Sequence, residues 1–151
     1  MKSQNSDPTI RAAINILNFR LKNRNVGASF AGCDDIGNFL LLNNSLLEHE
    51  EFSCMFLNSR LQLISYDVMF IGSLSHCSVY PRELVKRALY HNAAGVVLVH
   101  NHPAGLVEPS SDDILLTEKL KGTLALVDVY IVDHFIVAGM EHYSMKENGD
   151  I

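Results

Sequence analysis

Val96-Val97-Leu98-Val99-His100-Asn101-His102-Pro103, continued by Pro109-Ser110-Ser111-Asp112-Asp113-Ile114, is where the chain passes from apolar structure to chemistry. Side chains alternate along a strand, so His100 and His102 leave the same face. Pro103 has no N–H to give to a sheet ladder, and the strand is expected to stop there. Residues 104–109 make a short loop, and Ser110-Ser111-Asp112-Asp113 opens an apolar-periodic segment with the marks of a helix start. Ser110 and Asp113 have the spacing of a capping pair, and a carboxylate in the first turn is favoured by the helix dipole. Capping accounts for that pair but not for the histidines. The full pattern is His-x-His, seven residues, Ser, two residues, Asp. Two imidazoles and one carboxylate fill three corners of a tetrahedron and leave the fourth for water, the donor set of a catalytic zinc site. A hydroxyl that accepts a backbone N–H still has its own proton to donate, so capping and metal roles are compatible.

Working outward, the chain of 151 residues is long enough for one sizeable core and short for two. Apolar residues make up 48% and charged ones 19%, a globular rather than a disordered balance. The net charge of −5, with no basic run, lacks the footprint of a nucleic-acid binder. Cys33, Cys54 and Cys77 are scattered and form no Cys-x-x-Cys, which suits buried thiols in a reducing compartment. No signal peptide pattern opens the sequence and no apolar run is long enough for a membrane span. A cytoplasmic protein without a membrane partner is the expectation, and an oligomer is compatible with it.

Asp7-Pro8 is a good helix entry, and Ile10, Ile14, Leu17 and Leu21 lie at helical spacing. Val26 to Gly32 reads as a connector. A second helix is expected after Asp34, with Ile36, Phe39, Leu40, Asn43, Leu46 and Leu47 inward. Glu51 to Leu57 reads as a strand buried on both faces, Asn58-Ser59-Arg60 as a turn, and Leu61 to Ile71 as a second strand. After a polar loop, Gly72 to Tyr80, a helix starts at Pro81 with Leu84, Val85, Ala88 and Leu89 inward and a Glu83–Arg87 pair outside. Beyond the motif, Asp113, Leu116 and Leu120 share one helix face, and Gly122 marks the helix end. Strands are expected at Val127 to Val132 and His134 to Ala138, with one more across Met140 to Met145. A leading hairpin followed by alternating helices and strands implies an α/β fold, a three-layer α/β/α arrangement with a mixed sheet. The expected organisation is an N-terminal helical segment and connector, 1–33, ahead of a compact domain, 34–151.

His100-x-His102-Pro103 with Ser110 and Asp113 resembles the JAMM (MPN-plus, or JAB) metalloprotease signature. Pro81-Arg82-Glu83-Leu84 and His100-Asn101-His102-Pro103-Ala104-Gly105 resemble the RadC branch of that superfamily, and the likeness runs from about Glu50 to the C-terminus. It implies a zinc-dependent peptidase or isopeptidase with one Zn2+ held by His100, His102 and Asp113, acting on a peptide or protein substrate. RadC-type proteins carry an old DNA-repair label that the motif does not support. Their longer helical N-terminal region resembles helix-hairpin-helix modules, for which this chain has little room. They read His-Pro-Arg-Glu where this chain has Tyr80-Pro81-Arg82-Glu83, which bears on substrate-side contacts. JAMM domains share their layout with zinc-dependent cytidine deaminases. A deaminase combines His-x-Glu with a later Pro-Cys-x-x-Cys, and that combination does not occur. An HNH nuclease match to His100-Asn101-His102 is typographic.

In JAMM proteins the general base is a glutamate at the head of the first core strand. Among Glu48-His49-Glu50-Glu51-Phe52, Glu51 directly precedes the apolar strand and matches that position; Glu48 and Glu50 read as acids solvating a helix end. Ser110 would then donate to the oxyanion of the tetrahedral intermediate. His49, His76, His91, His134 and His142 lack partner spacing and read as surface or structural, with His134 suited to a local hydrogen-bond network. Two functions follow. One is a zinc hydrolase with Glu51, His100, His102, Ser110 and Asp113 as its working set. The other is a non-catalytic RadC-like scaffold in DNA repair or mobile-element biology. The acidic balance separates them: the isolated chain is expected to show no submicromolar DNA binding at physiological salt in an anisotropy titration. Tight binding that weakens steeply with added salt would restore the nucleic-acid role.

Overall fold

The computed structural model of the chain describes residues 8–9, 12–13, 30, 32–73 and 77–151. The apolar run ahead of the histidines is strand β3, Gly95–Asn101, buried along its whole length. Such a continuous apolar strand needs neighbours on both edges and cover on both faces. One neighbour is β1, Glu51–Leu57, which runs antiparallel to β3 and places Phe52 opposite His100. On the other edge lies β4, Tyr130–Ala138, parallel to β3. The outer strands, β2 (Leu63–Ile71) and β5 (Glu141–Ser144), are both antiparallel to their neighbours. The sheet is mixed, in the order β2-β1-β3-β4-β5.

Alternation sorts the sheet into two cores. Phe52, Cys54 and Phe56 of β1, with Val96 and Leu98 of β3, pack against Leu84 and Ala88 of helix α2 (Pro81–Tyr90) and Leu120 and Leu124 of α3 (Ser111–Ala125). Met55, Leu57, Val97, Val99, Phe135 and Val137 face the other way, onto Phe39 and Leu40 of helix α1 (Cys33–Asn44). Each fully buried Val, Leu, Phe or Met side chain among these contributes about 1.5–3 kcal/mol relative to exposure. The result is the three-layer α/β/α arrangement. No helix among the described residues is long and apolar enough to cross a membrane. Of the N-terminal segment, the stripe of Ile10, Ile14, Leu17 and Leu21 lies outside the described residues, as does most of the connector.

The element order agrees with the sequence, and the boundaries differ for local reasons. Helix α1 ends at Asn44, so Leu46 and Leu47 lie past it. The Asn43 and Asn44 side chains donate back to the carbonyls of Phe39 (2.7 Å) and Leu40 (2.9 Å), a local bonding pattern that competes with helix continuation. Helix α3 runs past Gly122 to Ala125, because a glycine on an open surface costs only about 1 kcal/mol within a helix. The two strands expected on either side of Asp133 are one strand. Its pairing with β3 passes from Val96–Ile131 to Val97–Asp133, a bulge that absorbs the polar residue without breaking the ladder.

Helix α2 is also tied differently from the expected Glu83–Arg87 pair. Glu83 pairs with Lys86 at 3.0 Å, and Arg87 reaches Asp67 on β2 at 2.9 Å. Leu89 is exposed rather than inward. Asp67 also holds His91 at 2.8 Å and accepts from the Ser65 hydroxyl at 2.5 Å. Burial pushes its carboxyl up, but Ser65, His91 and Arg87 outweigh burial and hold it below its ordinary value. A depressed carboxyl stabilises the fold above its unfolded pKa of about 3.9 and loses that contribution as pH falls through the lower folded value. Asp67→Asn is therefore expected to cost about 1–2 kcal/mol at pH 7 in urea titrations. The gap to the wild type should narrow as pH falls from about 3.9 through the lower folded value; an acid-independent gap would show that the charge is not its source.

Candidate metal centre

Strand β3 delivers His100 near its end, and the ladder carries on one residue further. The His102 N–H donates to the Val137 carbonyl at 2.8 Å, which keeps His102 in the strand's alternation. The two imidazoles meet edge to face with centroids 4.8 Å apart. Pro103 follows, and a turn closed by Gly105 N–H on the His102 carbonyl (3.0 Å) starts the loop. Gly105 sits at φ 88°, in the left-handed region that glycine enters freely. The loop returns Leu106 over the site, where its carbonyl lies 2.6 Å from His102 Nδ1. A carbonyl only accepts, so Nδ1 carries the proton there, and Nε2 is the atom turned to the site.

Asp113 arrives from the opposite side on the first turn of α3. The capping box is present: Ser110 Oγ accepts from Asp113 N–H at 3.1 Å, and the Asp113 carboxylate accepts from Ser110 N–H at 2.7 Å. The Ser110 hydroxyl also donates to Asp113 Oδ2 at 2.6 Å. Asp113 Oδ1 lies 3.1 Å from His100 Nδ1 and Oδ2 lies 3.4 Å from His102 Nε2. Burial would raise the Asp113 carboxyl, but the two imidazoles and Ser110 hold it well below the usual carboxylate range. In return, the Asp113 carboxylate raises His102 above its ordinary value, against the effect of burial.

These residues fit a cation. One donor atom from each of His100, His102 and Asp113 lies within 4.8 Å of the others. Nδ1 of His100 faces the Asp113 carboxylate, and the buried Nε2 has no hydrogen-bond partner among the described residues. An unpartnered buried polar atom is costly, and a bound cation would relieve that cost.

The base expected from the sequence is placed elsewhere. Glu51 is the first residue of β1 and shares its parity with Met55 and Leu57, on the α1 side of the sheet. Its carboxylate pairs with His49 at 2.7 Å and does not line the cavity at the histidines. Glu50, expected to solvate a helix end, has the parity of Phe52 and therefore faces His100. Its Oε2 is 3.5 Å from His100 Nε2, and its side chain is only 12% exposed. Glu48 is exposed. The cavity has a volume of about 790 Å³ and brings together Glu50, Phe52, His100, His102, Ser110 and Asp113. Tyr80 stands apart from it as the N-cap of α2, edge-on to Phe70.

One supporting residue went unmarked in the sequence. Thr117, one turn after Asp113, donates to the Asp113 carbonyl at 2.6 Å. Its hydroxyl proton is thereby used, so at 2.7 Å it accepts from Nδ1 of the fully buried His134. Burial, with the nearby His100, brings His134 down to about 3, so it stays neutral. This is the network anticipated for His134, and it braces the ligand-bearing turn from below. Of the others, His49 serves Glu51 and His91 serves Asp67. The His142 ring occupies the space beside Gly37. His76 lies outside the described residues.

Fold and site together define a class: an α/β/α domain with a metal-competent His-x-His and Asp centre at the end of a buried strand. The chain belongs to the RadC-like JAB domain family, whose model matches residues 30–150. It is similar to UPF0758 protein YeeS of Escherichia coli (strain K12), 47% identical over 123 residues, covering 82% of this chain and 83% of that protein. UPF0758 protein YfjY of the same strain is 43% identical over 141 residues, covering 93% of this chain and 87% of that protein. A UPF0758 protein of Ralstonia pickettii (strain 12J) is 45% identical over 123 residues, covering 82% of this chain but 55% of the longer relative.

Thr117→Val tests the brace. The substitution keeps the shape but removes the hydroxyl, leaving the buried His134 ring nitrogens without a hydrogen-bond partner among the described residues. A loss of about 1–3 kcal/mol in denaturant unfolding is expected, and a variant as stable as the wild type would mean the contact adds nothing.

Proposed function

We propose that this chain is a zinc-dependent hydrolase of peptide or isopeptide bonds. The observation that carries the reading is the unpartnered, buried Nε2 of His100, converging with His102 and Asp113 beside Glu50 in an open cavity. Two imidazoles and a carboxylate suit zinc and leave room for a further ligand. Bound there, the ion supplies Lewis acidity, polarising a carbonyl oxygen and lowering the pKa of a water molecule.

The chain's own groups do the rest. Glu50, in place of Glu51, is the general base: it stands at the histidines without belonging to the ligand set, where it can take a proton from the attacking water and return it to the leaving amine. Ser110 orients Asp113 through its N–H and hydroxyl. The oxyanion role expected of that hydroxyl requires it to turn from Asp113 toward the substrate. Phe52, Val79 and Leu116 give the cavity apolar walls, which favour a neutral amide over a heavily solvated anion.

Charge argues in the same direction. Glu50, Glu108, Asp112 and Asp113 line the cavity, and no Lys or Arg does so among the described residues. A phosphodiester backbone would be repelled there, whereas a neutral amide pays no such penalty. A non-catalytic scaffold has no observation in its favour, since the ligands and a neighbouring base are all present. The cytoplasm is the proposed setting, in keeping with three free thiols.

Elemental analysis after dialysis is expected to find one zinc per chain, as a three-ligand site implies. His102→Ala should lose it. With a substrate drawn from a peptide and isopeptide library, Glu50→Gln should keep the metal and the fold while hydrolysis falls by about two to four orders of magnitude. Glu51→Gln should stay within a few-fold of the wild type. Rejection of added zinc by the folded chain would end the reading, and the reverse ranking of the two glutamates would return the base to Glu51.

A further inference from the structure

The residue between the two histidines faces away from them. Asn101 closes β3 and is 2% exposed, and alternation sends its side chain out of the face that carries His100 and His102. Its amide oxygen accepts from the Glu51 N–H at 2.6 Å, and its amide nitrogen donates to the His49 carbonyl at 2.8 Å. A carboxamide has the donor and acceptor of a peptide group. Here it stands in for the next rung of the β1–β3 ladder, whose main-chain pairing stops at Phe52–His100.

The two groups it holds flank Glu50. On the other side, the Glu50 N–H donates to the Ser73 carbonyl and the Glu50 carbonyl accepts from the Gly72 N–H, each at 2.8 Å. Four hydrogen bonds thus grip residues 49–51, two from the extension of β2 and two from one side chain of β3. Among the described residues, the second pair is what hydrogen-bonds the backbone around Glu50 to the strand that carries the histidines.

We propose that Asn101 is a positioning residue that fixes Glu50 relative to His100 and His102. The inference rests on reading Glu50 as the base. Asn101 is joined to both histidines by peptide bonds, so a displacement of the β3 end carries ligands and base together. The 3.5 Å separation between Glu50 Oε2 and His100 Nε2 is then held by a short covalent and hydrogen-bonded circuit. An asparagine serving only to satisfy a buried strand end would have no reason to affect turnover separately from binding.

The test uses Asn101→Ala in the full chain, with amide exchange by NMR, zinc content and hydrolysis as readouts. Exchange at the Glu51 amide is expected to rise about tenfold, as for one lost hydrogen bond, while the Cys54 and Met55 amides in mid-strand stay protected. One zinc per chain should remain, and kcat should fall roughly 10- to 100-fold at unchanged KM, the scale of a displaced catalytic group. Unchanged Glu51 exchange, loss of zinc, or an unchanged kcat would each overturn the proposal. A chain that cleaves nothing yet shows the exchange effect would overturn the hydrolase reading and leave the clamp standing. If Asn101→Ala does not fold, Asn101→Thr introduces a β-branched residue suited to a strand, whose hydroxyl reaches at most one of the two groups, and the same outcomes apply.

Discussion

The site depends on the antiparallel register between β1 and β3. Phe52 lies opposite His100, and because side chains alternate, every second residue back along β1 and forward along β3 shares that face. This places Glu50 with His100 and His102, and sends Glu51 and Asn101 away from them. A slip of one residue would exchange both sets. The register is secured by burial: Phe52, Cys54 and Phe56 fill one core, Met55 and Leu57 the other, and neither set can be turned to solvent without losing several kcal/mol. Packing energy from the middle of the sheet is therefore what aims the groups at its end.

Asp113 concentrates several roles in one carboxylate. It completes the cap of α3, receives the Ser110 hydroxyl and faces both imidazoles. A buried carboxylate is tolerated only when its charge is met from several directions. The same convergence that stabilises the charge makes the group an able ligand, since its ionised form is held firmly. The cap and the convergence on the imidazoles, compatible already in the sequence, are two consequences of one geometry. Behind it, Thr117 and the neutral His134 hold the turn from the core side, so the carboxylate is braced as well as charged.

Acids make up the formal charge around the cavity among the described residues. Members of the RadC-like JAB family share this domain, and in this chain the lining carries carboxylates without a compensating Lys or Arg among the described residues. Such a lining makes the potential in the cavity negative. The loop from Ala104 to Pro109 contributes to that rim while its Leu106 carbonyl sets the His102 tautomer, so loop conformation and ligand chemistry are linked.

The order of helices and strands, the mixed sheet and the His100, His102, Asp113 set were legible in the sequence, because each rests on short-range regularities. Alternation places the histidines together, capping chemistry starts α3, and an unbroken apolar run implies a buried strand. The choice between Glu50 and Glu51 was not legible, although both lie in one short stretch. It turns on the parity of β1 relative to β3, and parity is a property of the pairing between strands, not of either strand alone. The same holds for Asn101, whose partners lie about fifty residues away, and for the His134–Thr117 contact between β4 and α3. Asp67 drawing Arg87 away from Glu83 is a further case, since a partner on a neighbouring strand outcompeted one on the same helix. The sequence by itself determined which elements form and which residues can ligate. The tertiary structure decided which acid faces them and what holds it there, because those contacts arise only when packing brings distant strands into one register.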